Sequence, residues 1–208
     1  MLLNILTFVT VGEFDTLYLF VVHRFNWTAN MFANFLFTWK LGQILALIIC
    51  LPLLKKYKIQ DLRIAMIGFL SKILGLILFG TSKYGYVIFI AAIISMFDST
   101  PSTTLRSNIS QNVEKQDIGK IFALIACTES ITAIISSLFF TKLYSISLNK
   151  DAWFIGHAGN GFVYFLGACL LLLALPLIEY ARRIDRKTEQ ERSSITEQTN
   201  GEEDSNES

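Results

Sequence analysis

The sequence predicts an all-α membrane protein built from six transmembrane helices. Three observations carry that prediction. Hydrophobic residues make up 52% of the 208 positions, including 17 Phe, and mean hydropathy is +0.48, which is high for a water-soluble domain of this size. The apolar residues come in long blocks with short charged segments between them, rather than at the period of an amphipathic helix or strand. Only 17% of residues are charged, and many of these crowd into the C-terminal end. Blocks of this kind, each close to the ~20 residues needed to cross the hydrocarbon core, read as spans.

Taken in order, the first span is Leu2–Val22, apolar from its second residue onward. The second, Met31–Leu54, follows a short polar loop that holds His23, Arg24 and Asn30. Ile64–Thr81 and Tyr84–Pro101 form the third and fourth, separated by Ser82 and Lys83. Gly119–Leu143 follows a polar, charged segment, and Gly161–Tyr180 is the last. No soluble block interrupts the series, so residues 1–181 read as one six-helix membrane domain and 182–208 as a cytosolic tail. The tail is basic at "ARRIDRK", which suits an anionic inner-leaflet surface, and then acidic and Ser-rich, a composition expected to be disordered. The opening "MLLNILTFVTVGEF" lacks the basic flank and small-residue cleavage site of a signal peptide, and its abrupt apolar start leads us to expect further sequence upstream.

Basic residues set the orientation. Lys55, Lys56, Lys58, Arg63, Arg106, Lys115, Lys120 and the cluster Arg182, Arg183, Arg186 and Lys187 fall on one side. Arg24, Lys83 and Lys150 fall on the other. The positive-inside rule therefore puts the C-terminus in the cytosol. The net charge of +1 gives no electrostatic case for nucleic acid. Cys50, Cys127 and Cys169 lie in apolar blocks without CxxC spacing and read as free thiols. His23 and His157 belong to no ligand-like cluster, so neither a metal nor another cofactor is expected. No nucleophile–base pair or phosphate loop points to an enzyme. Asn26-Trp27-Thr28 is a glycosylation sequon on the outer side, set very close to the membrane.

Ionisable residues within spans carry the functional signal, since each costs about 2.5–3.5 kcal/mol at the bilayer centre on insertion scales. Glu13 and Asp15 lie in "VGEFDTLYLF", and Lys40 in "MFANFLFTWKLGQILALIIC". Glu13 and Lys40 are equally far from the centre of the intervening loop, so an antiparallel hairpin puts them at one depth. Lys40 is therefore expected to pair with Glu13 or Asp15. Lys72 has no evident partner, and its long stem would let the ammonium reach toward the interface. Glu129 shares a helix face with Thr132 and Ser136 by i, i+3, i+7 spacing, a polar stripe expected to line a cavity. Such a carboxyl can take up and release protons. Arg106, beyond Pro101, is its candidate partner if the helix continues through the proline, where it could also hold a carboxylate or phosphate in a bidentate way.

The stretch "LRSNISQNVEKQDIGKIFALIACTES" resembles the segment joining the tenth and eleventh helices of solute carrier family 46, the proton-coupled folate transporter family of the major facilitator superfamily. The likeness lies in Arg106-Ser107, Ser110, Val113, Gly119, Phe122-Ala123, Ala126-Cys127 and Glu129. "GEFDTLYLF" is similar to the family's seventh helix, "LFFTKLYS" to the end of the eleventh, and "FVYFLGACLLLLALPLI" to the twelfth. The resemblance implies the C-terminal half of a twelve-helix fold, with substrate bound between two six-helix halves near the midplane. It implies a secondary active transporter, proton-coupled, of a small organic solute for which an anion suits Arg106. Glu129, Arg106, Glu13, Asp15, Lys40 and Thr132 are the substrate- or proton-pathway residues so expected. The folate-transporting branch has a coupling histidine where this chain has Thr10, so folate is not implied. The implied partners are membrane lipids, the solute and protons, and a complementary N-terminal half or a second copy. The implied location is the plasma membrane or the lysosomal membrane. The alternative is a half-transporter that acts by association with another membrane polypeptide or has no transport activity of its own.

The orientation has a direct check. An epitope appended after Ser208 should be stained on intact purified lysosomes, or at the plasma membrane only after permeabilisation; staining of intact, unpermeabilised cells, or of lysosomes only after they are permeabilised, would reverse the topology.

Overall fold

The computed structural model describes residues 1–56, 61–148, 161–180 and 183. It is helical throughout, with no strand among the described residues. Helix α1 is Leu2–Phe25, α2 Ala29–Leu45, α3 Leu51–Lys56, α4 Asp61–Thr81, α5 Gly85–Ile94, α6 Thr100–Asn112, α7 Ile118–Ser147 and α8 Phe162–Tyr180. Six stretches are long and apolar enough to cross a membrane: α1, α2 into the following turn, α4, α5 through α6, α7 and α8. The expected six-helix, all-α membrane architecture is therefore present. The tail expected at 182–208 lies outside the described residues, apart from Arg183, whose Nε is 3.5 Å from Glu179.

Local chemistry explains the helix boundaries. Helix α1 ends at Asn26, whose φ of 52° is left-handed, a conformation asparagine tolerates well. The Asn26 and Trp27 amides donate back to the Val22 and Val21 carbonyls at 3.1 and 3.5 Å. Thr28 then caps α2, its hydroxyl accepting from the Met31 amide at 3.4 Å. The sequon thus forms the whole of a three-residue hairpin loop, and Trp27 is buried within it. The second span continues beyond α2 through a π-helical turn, Ala46–Cys50, into α3. Pro52 has no amide to bond the Ile48 carbonyl, and the wider turn just upstream absorbs that defect.

The fourth span also outruns its sequence boundary. Helix α5 tightens into a 3-10 turn at Ser95–Phe97, and α6 restarts at Thr100 with Pro101 in its first turn, where a missing amide costs little. The helix then runs on to Asn112, carrying Arg106 past the proline as the sequence suggested. Helix α7 reaches Ser147, farther than Leu143.

Helix α1 packs most extensively on α7, and α4 on α6 and α5, while α2 lies against α5. Helix α8 closes the bundle on α1 and α4, through Gly167 beside Val9 and Leu76. Exchanging the first three spans for the last three maps the α1–α7 pairing onto α5–α2, and the α4–α6 pairing onto α8–α1. That is the packing an inverted pair of three-helix repeats produces, although the letters show no repeat. Toward the α1–α2 loop the interior is aromatic: Trp27, Phe35, Phe89, Trp39, Phe79, Tyr164 and Phe20 link ring to ring at centroid distances of 5.1–5.9 Å. Outward-facing side chains such as Phe37, Ile93, Leu138 and Leu173 are exposed and apolar, as a lipid-facing surface requires.

The close helix approaches at Gly68 and Gly12 depend on glycine. The space beside Gly68 is filled by Thr100 and Pro101, and that beside Gly12 by the Phe140 ring. Phe140 is buried and held edge-on to Phe8 at 5.4 Å, so it has little room to yield. Gly12→Ala is expected to cost about 1–3 kcal/mol through overpacking. Thermal unfolding in detergent should show the loss, and a Phe140→Leu background should reduce it.

Candidate functional site

Below the aromatic layer, three spans meet at one ammonium group, and a fourth joins through Gln43. Lys72 of α4 is 1% exposed, and its Nζ donates to Glu13 Oε2 of α1 at 2.6 Å and to Asp98 Oδ2 at 3.2 Å. Asp98 sits at the break between α5 and α6. Its other oxygen, Oδ1, accepts from Gln43 Nε2 of α2 at 2.6 Å. Gln43 Oε1 in turn accepts from Lys40 Nζ at 3.0 Å, one helical turn away on α2. The result is a continuous chain, Glu13–Lys72–Asp98–Gln43–Lys40. Its Glu13 end is buried, whereas Lys40 is exposed and lies 5.1 Å from the Trp39 ring centroid.

A second ion pair stands nearby. Arg106 Nη2 of α6 donates to Glu129 Oε2 of α7 at 2.5 Å, the arginine 48% exposed and the glutamate 14%. Between the two groups lies an open cleft of about 240 Å³. Leu6, Thr7, Thr10 and Val11 of α1 form one wall, Lys40 and Gln43 of α2 another, and Asp98, Ser99, Ser102 and Arg106 a third, with Glu129 opposite. The Ser99 hydroxyl is buried and has no hydrogen-bond partner. The cleft therefore offers two cations, two carboxylates and several hydroxyls at membrane depth. A larger share of apolar lining marks the groove between Phe35, Trp39, Phe89 and Met96, which contains no charged group.

The structure corrects three sequence readings. Lys40 pairs with neither Glu13 nor Asp15. Glu13 is buried in the bundle and bonded by Lys72, whereas Lys40 lies on the cleft wall and bonds Gln43 instead. Lys72 does not stretch to the interface; two carboxylates hold it in the core. The stripe on α7 does not line the cleft as a whole. Glu129 does, but Thr132 donates to its own Thr128 carbonyl at 2.8 Å, and Ser136 donates to the Phe8 carbonyl of α1. Asp15 is half-buried on α1, outside the cleft lining. Arg106 and Glu129 do come together.

Sequence reasoning passed over Asp98 and Gln43. A signal was present: "ISMFDSTPST" puts an acidic residue inside an apolar block just before a proline, where a helix breaks and a carboxylate finds unsatisfied donors.

Fold and site together define a class: a multi-pass helical membrane bundle whose polar cleft opens at membrane depth between an ion pair and a buried charge network. Comparison with known proteins narrows this. No protein-family model matches the chain. The chain is 32% identical over 120 residues to the lysosomal proton-coupled steroid conjugate and bile acid symporter of Gallus gallus, a match covering 58% of this chain and 24% of that protein. It is 31% identical over 109 residues to solute carrier family 46 member 2 of Canis lupus familiaris, covering 51% and 22%. The Mus musculus counterpart of the first symporter is 30% identical over 117 residues, covering 56% and 24%. These curated relatives are members of solute carrier family 46, within the major facilitator superfamily. The chain thus matches about a quarter of their length.

The charge network generates a stability prediction. Lys72→Met strands two buried carboxylates and should cost about 3–5 kcal/mol, the range for breaking a buried pair. Adding Glu13→Gln and Asp98→Asn should recover most of that in a detergent unfolding assay. Lys40→Ala, which loses only a part-buried bond to an amide, should cost about 1 kcal/mol or less, contrary to the damage expected from a Lys40–Glu13 pair.

Proposed function

We propose that this chain is one half of a proton-coupled transporter for an amphipathic organic anion, with the cleft as part of the substrate path. The observation that carries this reading is the Arg106–Glu129 pair at 2.5 Å on the cleft wall, with the guanidinium half exposed. A guanidinium presents a rigid fork of donors suited to a carboxylate, sulfate or phosphate. Glu129 occupies the place such a group would take. A substrate anion would displace it, and protonation of Glu129 would release Arg106 for the exchange. Proton and substrate can shift the inward–outward equilibrium only by binding the two states differently, and a carboxylate that trades partners provides that difference.

Similarity to symporters of steroid conjugates and bile acids favours cargo of that type: a large apolar body with one anionic group. The apolar side chains Leu6 and Val11 beside the cleft cations suit such a molecule. A lysosomal location follows the same relatives. The cleft's missing face would be supplied by a second six-helix body, joined in the same polypeptide or recruited from another.

A second reading, association without transport, rests on a specific observation. The cleft carries charged groups on an open wall, and α7 is largely exposed, including Leu124, Ile131, Ile134 and Leu138. Polar groups facing lipid are costly, so this face demands a partner.

Uptake of a radiolabelled bile acid and a steroid sulfate, in cells expressing the chain together with an N-terminal half from a relative, tests the first reading. Uptake should rise as the outer face of the transporter is acidified relative to the cytosol. Arg106→Gln should abolish it, and Glu129→Gln should leave uptake less dependent on pH. No uptake, with the chain recovered in a stable complex, would instead favour association.

A further inference from the structure

We propose that Thr7 and Thr10 of α1, together with Ser99 at the head of α6, form a hydroxyl-reading subsite that selects solute anions carrying a ring hydroxyl over anions whose body is wholly apolar. This rests on the cleft being a solute path with Arg106 as the seat of the anionic group.

A threonine inside a helix commonly turns its hydroxyl back onto a carbonyl three or four residues earlier. Thr16 of α1 does so, donating to the Gly12 carbonyl at 2.7 Å. On α7, Thr128 and Thr132 donate to Ile125 and Thr128 at 2.9 and 2.8 Å. Thr7 and Thr10 depart from this habit. Both are part-buried and both line the cleft. Neither side chain makes a hydrogen bond among the described residues. They stand three residues apart on α1 and so share one helix face.

Ser99 supplies a third hydroxyl. It lines the same cleft from the head of α6, and its Oγ is buried without a hydrogen-bond partner. Ser102, one turn on, is already committed and donates to the Ser99 carbonyl at 3.1 Å. A hydroxyl held away from both backbone and water is costly in an apolar setting, and a ligand oxygen removes that cost. Three such groups on the walls of one cleft point to a solute that brings hydroxyl oxygens of its own.

The spacing suits a fused-ring anion. Ser99 and Arg106 are seven residues apart along the fourth span, about 10 Å at helical rise. A steroid-like body bridges that length with its anionic group on Arg106 and a ring hydroxyl among Ser99, Thr7 and Thr10. Leu6 and Val11, beside the two threonines, then meet the apolar remainder. The preference has a bounded size. When the solute lacks a hydroxyl, Thr7 and Thr10 can fall back on their own helix carbonyls, as Thr16 does. Each bond to the solute is then worth its net value, roughly two- to tenfold in affinity.

The test uses two competitors of labelled steroid sulfate uptake, in cells expressing the chain together with an N-terminal half from a relative. Chenodeoxycholate has two ring hydroxyls, and cholanate is the same skeleton with none. Cholanate partitions more strongly into membranes, so the quantity read is how the ratio of their half-inhibitory concentrations changes between variants. In Thr7→Val/Thr10→Val the advantage of chenodeoxycholate should fall about tenfold. Valine keeps the branched shape and breaks no bond within the bundle. Thr10→Val alone should move the ratio in the same direction, which preserves the test if the double variant does not accumulate. Thr7→Ser/Thr10→Ser restores the hydroxyls and should restore the ratio. Thr81→Val, outside the cleft lining on α4, should leave it unchanged. A ratio that stays the same in both valine variants, with uptake intact, overturns the subsite and leaves the transport reading standing. Uptake absent from the unsubstituted complex overturns both.

Discussion

One buried ammonium organises the protein. Lys72 lies in the middle of an apolar helix, and it is bonded there by carboxylates from α1 and from the α5–α6 break. In lipid there is no hydrophobic drive between helices, because the acyl chains are as apolar as the side chains. Packing detail and polar contacts must decide which faces meet. An unpaired charge in that interior would be far more costly than any misplaced leucine, so satisfying Lys72 limits how α1, α4 and α5 can rotate against one another. Gln43 extends the same constraint to α2.

The other features fall into place around that point. Toward the α1–α2 loop, the linked rings of Trp27, Phe35, Trp39, Phe79 and Tyr164 fill the bundle and contain little polar chemistry. Glycines at positions 12 and 68 let α1 meet α7 and α4 meet α6 closely enough for the polar groups to reach each other. The 3-10 turn at Ser95–Phe97 gives Asp98 its freedom from a regular helix, and Pro101 restarts α6 without loss. Asp98 thus belongs both to the closed interior and to the cleft. The Arg106–Glu129 pair, by contrast, is half exposed and joins only α6 to α7. An exposed pair of this kind contributes little to stability and is correspondingly easy to exchange. The structure therefore separates a pair built to hold from a pair able to let go.

Residues fared differently according to which coordinate their placement required. The hydropathy blocks located every span, and the failures at their ends have local causes: Pro52 with its π turn, and Pro101 entering α6. Arg106 and Glu129 were legible because a polar segment leads directly into an apolar helix and leaves few partners for the glutamate. The Lys40–Glu13 pairing rested on matched depth alone, and it failed because Lys72 bonds Glu13 while Lys40 bonds Gln43 at the cleft. Asp98 was overlooked within an apolar block because its significance depends on Lys72, whose partners lie 59 and 26 residues away along the chain.

What the sequence determined by itself is the set of spans and the place of each charged residue along them. Bilayer thickness demands about 20 apolar residues per helix, and each residue advances about 1.5 Å, so both quantities can be counted along the chain. What only the tertiary structure decided is rotation. Each residue turns the helix by about 100°, and these helices are apolar on nearly every face, so no moment in the sequence says which side looks inward. Lys72, Glu13, Asp98 and Gln43 find one another only when four spans are packed together, because the arrangement that satisfies one buried ammonium is a property of the bundle and of no single helix.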